Sequence, residues 1–191
     1  MLVKTAQVNR KDLPMADTYI SISTIKKSDL TGAATIPKIN DKDNWISINS
    51  VSFGFGRSIS MDVGNVSNAE VGVPGLSEIS ISHTMDGASP ALQSIFFAPG
   101  DEGAEIFILM TKTKRTGDGL QPAMEIALKS ARISSYSFGG SGGSGDESIT
   151  IAYTDITISH FVEDENGKLA AGAKKVGYDL EKAKLTFKAI A

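Results

Sequence analysis

The residues best placed to do chemistry lie between positions 139 and 160. Gly139, Gly140, Ser141, Gly142 and Gly143 satisfy the G-x-S-x-G pattern of a nucleophilic serine, and Asp155 and His160 follow in the serine, acid, histidine order of an α/β-hydrolase. A nucleophile elbow needs a helix directly after the serine, whereas here Ile149, Thr150 and Ile151 begin a β-branched strand. Asp155 and His160 are five residues apart in that strand pattern, hence ~17 Å apart and on opposite faces, beyond the hydrogen bond a triad requires. Gly140, Gly142 and Gly145 also fit G-x-G-x-x-G. That fingerprint binds dinucleotides only where a helix N-terminus follows, and none does; nor is there a G-K-[ST] for a P-loop.

Metal chemistry fares no better. His83 and His160 are the only histidines, without H-E-x-x-H or a paired-ligand spacing, and read as surface or strand histidines. Asp41, Asp43 and Asn44 lack the glycine and distal glutamate of an EF-hand and read as a solvated turn. Trp45, the single tryptophan, reads as a core or interface plug. The expectation is no catalytic residue, no cofactor and no metal, and a binding module or an assembly unit rather than an enzyme.

The elements that must carry these residues are mostly strands. Residues 131–160 contain two period-2 runs, Ile133 to Phe138 and Ile149 to Thr154, that read as a hairpin joined by a mobile loop over Gly139–Gly145. Asp17 to Ile25 is a half-buried strand, and Trp45 to Gly56 is a strand whose apolar phase shifts, which predicts a bulge or bend near Asn49 and Ser50. Arg57 to Leu76 reads as an extended arm leaving the body, and Ser77 to Ser82 as another strand. Ser89 and Pro90 predict an N-cap and first turn of a short helix with Leu92, Ile95 and Phe96 on one face, ended by Pro99 and Gly100. Glu105 to Arg115 is apolar on both faces at first and therefore deep. Ala123 to Phe138 returns, and a last strand over Val176 to Ile190 turns Leu185 and Phe187 inward. Eight to ten strands and one helix packed outside them point to a Greek-key-like sandwich or barrel.

With 191 residues, no cysteine and a net charge of -3, the chain is long enough for one cored domain, needs no disulfide and offers no basic stripe for nucleic acid. No segment has the apolar run of a signal peptide or a membrane span. Met15 is a second plausible start, so residues 1–14 are read as a polar extension and 15–191 as the domain.

At MADTYISI (15–22), INSVSFGFGRS (48–58), SEISISHTMDGASPAL (77–92), ISSYSFGGSGG (133–143), ESITIAY (147–153) and VGYDL (176–180), the chain resembles the Hcp family of type VI secretion inner-tube proteins, collinearly from residue 15. The resemblance implies a mainly β, two-sheet barrel or sandwich with one flanking helix and an extended loop. It further implies homohexameric rings stacked into a tube, a contractile sheath and a spike as partners, small effectors in the pore, and passage from the bacterial cytoplasm through the apparatus without a signal peptide. By the same resemblance Ser52 faces the pore, while alternation sends Val51 and Phe53 inward. The arm, through Arg57, Ile59, Met61, Val63, Val71 and Val73, is expected to join stacked rings, because its apolar side chains are too many for a free loop. The alternative is a monomeric β-barrel that binds a small ligand or peptide.

Overall fold

The structure, a computed structural model, describes residues 17–30, 42–60, 70–115, 119–142, 144–165, 167, 169–170 and 172–189. The polar extension therefore lies outside the described residues, as do Asp41 and residues 31–40 before it. The strands are β1 (Thr18–Ile22), β2 (Ile46–Ile48), β3 (Ser50–Ser52), β4 (Phe55–Gly56), β5 (Ile59–Ser60), β6 (Glu70–Val71), β7 (Gly75–Leu76) and β8 (Ile79–Thr84). After the helix α1 (Ser89–Phe97) come β9 (Ala104–Thr113), β10 (Leu120–Ser141), β11 (Ser144–Ala152), β12 (Asp155–His160), β13 (Lys174–Asp179) and β14 (Lys184–Phe187).

Two antiparallel layers share one core. The first runs β14-β13-β12-β10-β9-β1-β2 and the second β10-β11-β8-β3. Ile20, Ile46, Ile106, Ile126 and Ile156 of the first meet Ile79, Ile81, Ile133, Ile149 and Ile151 of the second, all buried. The layers join where long strands change sheet. β10 pairs with β9 and β12 through its first half and with β11 through its second, with register shifts at Leu128/Ala131 and Ile133/Ser135 and Ser130 at φ 47 between them. At the other corner the strand bends at Asn49, as its apolar phase predicts. β2 pairs with β1, β3 pairs with β8, and the Asn49 N–H donates to the Ser82 carbonyl at 2.8 Å. No ladder closes the two layers into a hydrogen-bonded barrel among the described residues.

β9 is deep for the reason its sequence states. Ile106 and Ile108 face the main core, while Leu109 enters a second cluster with Tyr19 and Trp45, against which Phe107 and Leu120 pack. The 42–45 segment covers that cluster. Lys42 lays its ammonium 3.5 Å from the Phe107 ring centroid and pairs with Glu125 at 3.0 Å, and the Trp45 indole N–H donates to the Lys42 carbonyl. Trp45 is thus the core plug.

Four sequence expectations change. The Gly139–Gly145 stretch is no long loop: pairing continues through Gly139↔Asp146, Gly140↔Gly145 and Ser141↔Ser144, so the connection shrinks to residues 142 and 143, with Gly142 at φ 65. Glycine backbone makes ladder hydrogen bonds as well as any other residue, and only side-chain packing is lost. Ser89 is the first helical residue and Ala88 the cap, with no side-chain capping bond. The single terminal strand is a hairpin, β13 and β14, whose Leu185 and Phe187 remain 45% and 48% exposed because β14 is the sheet edge and overhangs the core. Finally, of the surface and strand readings of His83 only the strand one holds: it lies on β8 and is buried.

Candidate functional site

The hydrolase-like residues stay apart. Ser141 ends β10 at the hairpin tip, whereas Asp155 and His160 sit at opposite ends of β12, opposite Lys129 and Met124 of β10. No helix follows Ser141 among the described residues.

A different serine, histidine and acid do meet. Alternation along β8 puts His83 in phase with Ile79 and Ile81, and along β11 Glu147 is in phase with Ile149 and Ile151; the two residues face each other across the ladder. His83 Nδ1 lies 2.8 Å from Glu147 Oε2, and the Ser89 hydroxyl donates to that same oxygen at 3.0 Å. Asp86, in the turn before α1, brings Oδ1 to 3.3 Å from His83 Nε2 and accepts the Ala88 N–H at 2.7 Å. Burial first, and then Glu147, push the Tyr136 phenol well above the ordinary tyrosine range. This arrangement is not a nucleophile site. The serine hydroxyl donates its hydrogen bond to the carboxylate rather than to the imidazole, and His83 and Glu147 are each 1% exposed, so no substrate reaches them. It pins the start of α1 to β8 and β11. The phase of His83 and Glu147 with their isoleucine neighbours was the signal for it in the sequence.

The surface outside the core carries the remaining candidates. Ser52 is exposed on β3 opposite Ser80, with Val51 and Phe53 packed against the core on either side of it. The arm is an antiparallel ribbon. Phe55 pairs with Leu76 and Gly56 with Gly75, the Gly72 N–H donates to the Ser58 carbonyl, and Ile59 pairs with Val71. These two ladders belong to neither main sheet. Arg57 is exposed, and Ile59 and Val73 are 61% and 68% exposed; Met61 and Val63 lie outside the described residues. At its base the ribbon leans over β12–β14 and leaves an apolar groove of about 300 Å³ between them, walled by Phe55, Arg57 and Leu76 on one side and Ile158, Val176 and Leu185 on the other.

The two-layer β fold has counterparts among known proteins. The family model "Type VI secretion system effector, Hcp" matches residues 19–160, well over half of the 191. The chain belongs to the Hcp family. Solved structures agree on the fold. One described as a type six secretion system protein is 22% identical, with a TM-score of 0.68 over 90% of this chain and 99% of that one. Hcp1 from Salmonella typhimurium is 18% identical, with a TM-score of 0.59 over 90% and 99%. The Hcp1 protein from E. coli EAEC 042 is 11% identical, with a TM-score of 0.56 over 86% and 99%. No curated protein matches the chain. Within the Hcp match fall β1 from Tyr19 on, the Asn49 corner, the arm, the His83–Glu147 pair and the β10–β11 hairpin, whereas β13 and β14, which share one wall of the groove with β12, lie beyond residue 160.

Proposed function

We propose that this Hcp-family chain is the subunit of a type VI secretion inner tube. Six copies close a ring, rings stack through the arm over 57–76, and the lumen, with Ser52 on its wall, carries small effectors. Sheath contraction then expels the tube, tipped by its spike, from the bacterial cytoplasm. The observation that carries the reading is the arm. An Hcp fold extends a ribbon outside both sheets with Ile59 and Val73 more than half exposed, and apolar side chains held out in this way mark a contact surface rather than a free loop. Burying ~300–400 Å² of apolar surface per arm would contribute about 8–10 kcal/mol before ordering costs are subtracted, and a ring repeats the contact six times. Single contacts can therefore stay weak and the tube still assemble by avidity.

Light scattering and negative-stain images of the purified protein test this. Six-fold rings whose mass grows with concentration are expected, and a strictly monomeric species at micromolar concentration would overturn the reading.

A further inference from the structure

The groove under the arm is open, apolar and rimmed by cations. Arg57 lines it, and Lys174, two residues from Val176 and hence on the same face of β13, is exposed beside it; neither makes an ion pair among the described residues. Phe55, Val176 and Leu185 remain 57%, 42% and 45% exposed there, so no side chain among the described residues fills the space.

Elsewhere the surface carries an exposed phenyl ring beside two carboxylates. At the end of α1, Phe97 is 80% exposed, more than any other large apolar side chain described. Gly100, at φ 74, turns the chain after Pro99 and presents Asp101 and Glu102, both exposed and without an ion pair among the described residues. α1 packs on the half of β10 that belongs to the second sheet, with Phe96 against Tyr136, whereas the groove is at the β14 edge of the first. Knob and groove are unlike and occupy different parts of the surface. A contact between them in two copies leaves one knob and one groove free, the heterologous geometry that repeats around a closed ring.

We propose that the groove is the seat of the Phe97–Glu102 corner of a second copy of this chain, and that filling it fixes the arm. Phe55 and Leu76, the first rung of the arm, are the groove's upper wall. A phenyl ring seated beneath that rung braces it against β12 and β13, so ring closure aims the arm before rings stack. Asp101 and Glu102 meet Arg57 and Lys174 at the rim and select the register. The proposal rests on the ring-forming reading above.

The test uses the full chain with Phe97→p-benzoylphenylalanine, irradiated and mapped by mass spectrometry. Intermolecular crosslinks to 55–57 or 174–178 are expected. Phe97→Asp should reduce the ring to monomer at concentrations where the parent chain is a ring. Phe138→Asp, at an aromatic residue 69% exposed near the hairpin tip, should leave the ring intact. Lys174→Glu should raise the concentration needed for ring formation severalfold, and adding Glu102→Lys in the same chain should restore it. Intact rings in Phe97→Asp, or crosslinks mapping to another surface or another molecule, would overturn the seat while leaving the ring reading standing. A monomeric parent chain would overturn both.

Discussion

Glu147 is the residue on which most local structure depends. Its Oε2 receives Ser89 and pairs with His83, and all three side chains are buried, so the two elements it joins share one acceptor. Removing that acceptor leaves the Ser89 hydroxyl and His83 Nδ1 buried without it, a cost of about 1–3 kcal/mol for each group, with Asp86 still beside His83 Nε2. Glu147→Ala is expected to lose that much in urea unfolding, against about 1 kcal/mol for Ser89→Ala, which deletes one hydrogen bond. A comparable loss in both variants would show that the serine, not the carboxylate, carries the junction. Asp155 gives a pH-dependent test. Burial raises its pKa, with Lys129 opposing and Asp179 adding. A carboxyl raised in the folded state contributes stability below its unfolded pKa of about 3.9 and loses it as pH rises through the folded value. Asp155→Asn should therefore raise the melting temperature at pH 7, and the gain should vanish in acid below the ordinary aspartate range.

Among the elements, β10 does two jobs. It builds both layers, and its corner depends on a close backbone approach from the α1–β9 connection. Gly103 sits at φ 75, and a Cβ there would stand 2.8 Å from the Ser130 carbonyl carbon and 2.9 Å from the Ala131 oxygen. Gly103→Ala should cost about 1–2 kcal/mol from the left-handed backbone alone, with the clash adding to it, and near-neutral unfolding in that variant would mean that the corner yields. The arm is the opposite kind of element, built from ladders of two residue pairs outside the core. Ile59→Asp combined with Val73→Asp changes only exposed side chains, so the melting temperature should hold while rings lose the ability to stack. Tubes still visible by electron microscopy would place the stacking contact elsewhere.

For the whole molecule, the decisive quantity is what each surface faces in the proposed assembly. Ser52 is exposed between two core-packed neighbours, so a longer polar side chain there should change stability by no more than about 0.5 kcal/mol. On the proposed assembly Ser52→Gln keeps the ring mass and reduces the effector that copurifies with it. If the ring dissociates instead, Ser52 belongs to a subunit contact and not to the lumen wall.

Much of this was legible in the chain because strand periodicity is local. The alternation of Ile79 and Ile81, the phase change at Asn49, the two-faced β9 and the short helix that contains Pro90 and Leu92 each follow from side-chain direction over a few residues, and the collinear segments were specific enough to point to the Hcp family. What the sequence left open depends on contacts between distant positions. Whether Gly139 to Gly145 pairs or loops is decided by register along the whole hairpin. Whether Leu185 and Phe187 are covered is decided by how far the core extends toward β14. That His83 and Glu147, 64 residues apart, share a hydrogen bond is decided by the pairing of β8 with β11. The groove is likewise tertiary, because its walls come from 55–76 and 156–185 and adjoin only after both sheets have formed. Periodicity determines which way a side chain points, and only the assembled layers determine what it meets.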